Sequence, residues 1–118
     1  MKKASPFLEY VLYDVFGENE PITYRAMMGA FILYFEGRAF AIVSGDELYF
    51  KGAEHTVDWY VFRGSKQFSY ERKGEEVFLM YFSVSPEVYE DKTVFVEWLD
   101  IALSSTSVPK ERKKKLVN

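Results

Sequence analysis

The chain has 118 residues, 48% of them hydrophobic, 28% charged and 19% aromatic, with a formal net charge of −3. This balance describes one globular domain with a real core, and excludes a disordered chain. The absence of cysteine excludes disulfides and thiolate metal sites, and no apolar run is long enough to span a bilayer.

Ser5-Pro6 opens a first helix, with Ser as cap and Pro in the first turn. Leu8, Val11, Leu12 and Val15 recur on one face, and Gly17 ends it. Glu9 and Asp14 interrupt this stretch, so it does not read as a secretory leader, and a cytoplasmic protein is expected. Four strands follow, over 22–27, 30–35, 38–43 and 47–51. The connections containing Gly29, Gly37 and Gly45 are short, which predicts antiparallel hairpins with those glycines as turn residues. A second helix is read over 54–63, with Val57, Tyr60 and Val61 on one side. Two more strands, 67–72 and 76–82, flank Lys73-Gly74-Glu75, and Ser85-Pro86 opens a further turn. A last helix over 91–103 carries Val94, Phe95, Trp98, Leu99 and Ala102 as its apolar stripe, with Trp98 expected as a core anchor.

The order α-β-β-β-β-α-β-β-α is that of an α+β domain: one antiparallel sheet of about six strands with flanking helices. The domain is read over 4–104, with a basic tail over 105–118. Residues 1–109 carry 10 Lys/Arg against 17 Asp/Glu, net −7; residues 110–118 carry five Lys/Arg against one Glu, net +4. The acidic body argues against a nucleic-acid surface on the folded part. The basic cluster of Lys110, Arg112, Lys113, Lys114 and Lys115 is the candidate for nucleic-acid contact, and otherwise a solubilising tail.

No catalytic constellation can be assembled from these residues. His55 is the only histidine, placed at a helix start beside Glu54 and Asp58, and reads as a surface residue. The acid pairs Asp46-Glu47 and Glu75-Glu76 fall in hairpin turns, where acids are ordinarily solvated. The glycines form no phosphate loop. Arg38 to Val43 echoes an RNA-binding strand only faintly, and the order of elements is wrong for that fold. No enzyme activity, cofactor or metal is therefore expected.

The stretch from Ile22 to Lys51 carries a pattern of its own. It contains Thr23-Tyr24-Arg25, Met27-Met28-Gly29, then Gly37-Arg38-Ala39-Phe40-Ala41, then Leu48-Tyr49-Phe50-Lys51. In this order the series resembles the N-terminal domain of the TfoX/Sxy family of bacterial competence regulators. The resemblance covers roughly 7–103 and implies a curved, secretion-chaperone-like sheet. It also implies a stand-alone N-terminal domain, without the C-terminal helical domain of larger relatives. Where the family usually has methionine-phenylalanine-glycine-glycine, this chain has Met27-Met28-Gly29-Ala30. An arginine recurs in the family at the place of Arg25, which makes Arg25 the candidate partner contact.

The function expected from the resemblance is non-enzymatic: a regulatory domain acting through protein contact. The partner it implies is a transcription regulator, the cyclic-AMP receptor protein. The alternatives are a DNA-binding accessory factor using the basic tail, and a small-ligand-binding domain using the aromatic sheet. The strands 31–35, 40–43 and 77–82 do not alternate apolar with polar, which predicts cover on both faces. A homodimer joined through the sheet is expected on that ground. Strong curvature of the sheet is the rival explanation.

Overall fold

The computed structural model describes residues 5–17 and 20–106. A six-stranded antiparallel sheet runs in the order β1-β2-β3-β4-β6-β5. Its strands are β1 (Ile22–Met27), β2 (Ala30–Phe35), β3 (Arg38–Ser44), β4 (Glu47–Lys51), β5 (Gln67–Arg72) and β6 (Glu75–Val84). The helices are α1 (Pro6–Tyr10), α2 (Val57–Phe62), α3 (Pro86–Tyr89) and α4 (Lys92–Ser105). The architecture is the α+β sheet with flanking helices expected from the order of elements.

The first helix departs from the regular spacing expected of it. The Ser5 side chain caps α1 by accepting from the Leu8 amide at 3.1 Å, but the chain continues as a π-helix over Val11–Gly17. The wider turn adds Phe16 to the core, where its ring meets Phe40 at 5.6 Å and Phe95 at 5.4 Å. The second helix is shorter than expected. Residues 53–56 form a turn instead, in which the Thr56 hydroxyl accepts from the Ala53 amide at 2.9 Å. Ser85-Pro86 opens the four-residue α3, a helix where only a turn was expected. The Asp91 carboxylate caps α4, accepting from Thr93 and Val94. That helix runs on to Ser105, and Ser105 and Thr106, read from sequence as tail, are buried.

Tight turns set the strand registers. Met28 (φ 54°) and Gly29 (φ 78°) are both left-handed, as a two-residue hairpin turn matching the strand twist requires. Glu36-Gly37 and Lys73-Gly74 repeat the pattern, and Gly45 also has positive φ.

One face of the sheet packs under the helices. Leu33, Phe40, Ala41, Val43, Leu48 and Phe50 meet Leu8, Val11, Phe95, Trp98 and Ala102 there. The bulge in β3 explains why its run does not alternate. Leu33 pairs with Ala41 and Tyr34 with Ala39, so Phe40 is the extra residue and stands with Ala41 on the helix side.

The other face forms a second cluster of Ala30, Ile32, Ile42, Phe68 and Tyr81, contributed among the described residues only by strands. Its members span β2 to β5, across nearly the whole sheet order, so curvature brings them together. Met28 in the first hairpin and Tyr70 to Arg72 in β5 line one common cavity, although they lie at opposite ends of that order. The chain therefore buries Leu33, Ile32 and Ile42 without a partner copy, whereas Phe78, 56% exposed, stays in water.

Candidate protein-interaction surfaces

Two exposed regions differ from the surrounding surface. The first is the end of α2. Trp59 packs inward against Trp98, with ring centroids 5.0 Å apart, and Tyr60 stacks on Phe82 at 5.0 Å. The Tyr60 hydroxyl donates to the Lys51 carbonyl at 2.7 Å, and burial pushes its pKa up. With those two rings committed to the core, Val61 and Phe62 point away from it. Val61, expected on the inner side, is 56% exposed and Phe62 is 86% exposed. The next residue, Arg63, lays its guanidinium 3.7 Å from the Trp59 ring centroid and donates from Nη1 to the Trp59 carbonyl at 3.1 Å. A long cationic side chain is thus held against the Trp59 ring, next in sequence to the exposed Phe62. A cavity of about 370 Å³ adjoins it, lined by Arg63, Ser65, Glu87, Glu97 and Trp98 among others.

The second region is β1. It lies at the edge of the sheet, and Thr23 to Ala26 are all exposed. Arg25 pairs in register with Ile32, while the Tyr24 ring packs edge-on against Phe31 at 5.7 Å.

The remaining candidates are dispersed. His55 is exposed, with Nε2 3.2 Å from the Ser104 carbonyl oxygen. Among the described residues, no three His, Asp or Glu side chains cluster as a metal site would need. Glu47 accepts from the Tyr49 hydroxyl at 2.7 Å, and Glu76 from the Ser69 hydroxyl at 2.7 Å. The Tyr49 pKa is pushed up to about 12 by burial, with the Glu47 hydrogen bond and charge adding to it. A cavity of about 350 Å³ separates Asp46 and Glu47 from Lys66 and Tyr89. A smaller one of about 210 Å³ is walled by Phe16, Phe35, Phe40 and Phe95, with Glu20 and Lys92 also lining it. Lys110, Arg112, Lys113, Lys114 and Lys115 lie outside the described residues. No helix among the described residues is long and apolar enough to cross a membrane.

The TfoX N-terminal domain matches residues 14–106 of this chain. The chain belongs to the TfoX family. It is 31% identical over 103 residues to Protein Sxy of Escherichia coli (strain K12), covering 82% of this chain and 49% of that protein. The chain thus spans about half the length of the curated relative it matches.

Several residues of the TfoX pattern do structural work here. Arg38 donates from Nη1 to the Thr106 hydroxyl at 3.1 Å, tying the β2–β3 turn to the end of α4. Phe40 and Phe50 are fully buried. Lys51 sets its ammonium 5.1 Å from the Tyr81 ring centroid, and burial lowers its pKa. Ala30, at the family's second glycine, is buried in the strand-only cluster, where its methyl group adds packing. Arg25 is the exception, because it supports nothing in the core. Phe62 and Arg63 went unrecognised in the sequence, since an apolar residue at the end of an amphipathic helix ordinarily reads as core.

Proposed function

We propose that this TfoX domain is a non-enzymatic, cytoplasmic regulatory module of competence type that acts by docking on another protein. The observation that carries this reading is Phe62, 86% exposed beside the Arg63–Trp59 stack. Aromatic residues and arginine dominate the energetic centres of protein interfaces. A preordered arginine loses little freedom on binding, so the pair can anchor a partner at low entropic cost. Exposing a phenyl ring brings no folding benefit, and Val61 beside it in the chain is exposed as well, which supports contact with a partner.

The partner to test first is the cyclic-AMP receptor protein implied for the family. Binding of the two purified proteins is measured by interferometry, with Phe62→Asp and Arg63→Ala beside the unchanged chain. The expected result is binding by the unchanged chain and a loss of at least about tenfold for each variant, with circular dichroism unaltered. No binding by the unchanged chain would remove this partner. Equal binding by both variants would remove the α2 patch.

A further inference from the structure

The two edges of the sheet are not equally protected. β5 carries Glu71 and Arg72 at its end, and its pairing with β6 is broken between Gln67 and Ser69. Charges and irregular pairing are the ordinary means of blunting an edge. β1 has neither an irregularity nor an internal proline, and Arg25 is its only charge. Among the described residues, its backbone ladder partner is β2 alone.

The hairpin fixes which β1 amides are free. Met27 and Ala30 flank a two-residue turn and form a hydrogen-bonded pair, so pairing alternates from there. Arg25 and Thr23 bond inward to β2. Ile22, Tyr24 and Ala26 turn their backbone groups outward. Two bonds fit this phase: the Glu36 amide donates to the Pro21 carbonyl at 3.3 Å, and the Ile22 amide is taken by the Glu20 carbonyl at 2.8 Å. The free groups are therefore the N–H of Tyr24 and Ala26 and the C=O of Ile22, Tyr24 and Ala26.

We propose that β1 pairs antiparallel with β1 of a second copy, about a two-fold axis at Tyr24, to give one continuous sheet. In this register each Tyr24 N–H donates to the partner's Tyr24 carbonyl. Each Ala26 N–H donates to the partner's Ile22 carbonyl, so every free donor is used. Arg25 falls opposite the partner's Thr23. The competing register, one residue along, centres on Arg25 and sets two guanidinium groups face to face. Like charges directly opposite are destabilising, so Arg25 selects the Tyr24 register. A two-fold contact also closes on itself, leaving only the blunted β5 edges outside. The helix that carries the α2 patch packs through Tyr60 on Phe82 of β6 and Trp98 of α4, whereas the dimer uses the backbone edge of β1, so the dimer does not rest on the proposed docking function.

The chain has no cysteine, so single substitutions report contacts without background. In an antiparallel hydrogen-bonded pair the Cα atoms lie about 5.5 Å apart, within disulfide reach. Tyr24→Cys is expected to oxidise to a covalent dimer, and Arg25→Cys to stay largely monomeric. Light scattering of the unchanged chain at tens of micromolar is expected to give a dimer mass. Because each body is acidic, the dimer fraction is expected to rise with salt. Ala26→Pro removes an outward N–H and is expected to shift the mass to monomer with unchanged circular dichroism. If Ala26→Pro fails to fold, the two cysteine variants decide. A monomer mass at high salt would overturn the proposal. So would preferential cross-linking at Arg25→Cys, or a dimer that neither cysteine links.

Discussion

Phe40 and Ile42 lie two residues apart on β3 and both are fully shielded from water, yet different things shield them. Over Phe40 stand helical side chains, Phe16 and Phe95 among them. Over Ile42, among the described residues, there are only other strands, because Phe68 and Tyr81 are carried across by curvature. A helix-covered face is specified by side chains distant in sequence. A self-covered face is specified by the shape of the sheet, and so by bulges and turns. The same apolar composition on the two faces thus rests on different parts of the chain.

The largest effects compare the two seals directly. Trp98→Ala is expected to cost about 3–5 kcal/mol, since it empties a site bordered by Trp59 and Tyr60. Ile42→Ala is expected to cost about 2–5 kcal/mol if curvature alone seals its face. That loss, read from urea midpoints, should not vary with protein concentration. A concentration-dependent loss would show that a partner copy covers the face instead.

Gly52 tests how tightly the helix-covered side is closed. A Cβ there would stand 2.6 Å from one Phe82 ring carbon and 3.3 Å from the Tyr60 ring. Those rings are stacked on each other and cannot both give way. Gly52→Ala is expected to destabilise by about 1–3 kcal/mol. A neutral variant would mean that the stack is looser than its geometry implies.

How much of this was legible in the sequence follows the same division. Strands β1 to β4 stood out because each hairpin glycine punctuates an apolar run. The α4 stripe was legible because its spacing is helical throughout. The π-helix was not, since Leu8, Val11, Leu12 and Val15 fit an ordinary helix equally well and only packing shows Phe16 turned inward. The run from Phe40 to Val43 suggested cover on both faces, and the bulge behind it leaves no mark in composition. Of the interaction surfaces, Arg25 stood out as a charge in mid-strand. Phe62 did not, because its exposure depends on Trp59 and Tyr60 having taken the inner positions of a helix only six residues long.

The hairpin that closes the self-covered face is expected to respond less strongly. At Gly29, φ is 78° and a Cβ would meet nothing within 4 Å. The cost of Gly29→Val is therefore backbone strain alone, about 1–2 kcal/mol. Thermal unfolding measures it, and a change within about 0.5 kcal/mol would mean that the turn has rearranged.

The smallest effect is nil at neutral pH and appears only in alkali. Tyr81 and Tyr49 on the self-covered face both have pKa values pushed up to about 12, and burial raises that of Tyr60 on the helix side. Unfolded phenols ionise near the ordinary value of about 10. Between about pH 10 and 12 the unfolded chain therefore binds fewer protons than the folded one, and stability falls as pH rises. The lowered pKa of Lys51 acts in the opposite sense, as a single group against these three phenols. Urea midpoints are expected to hold steady up to about pH 9 and then decline. Tyr49→Phe should flatten part of the decline, since its hydroxyl bonds to the exposed Glu47. An unchanged slope in that variant would assign the alkaline loss to Tyr81 and Tyr60.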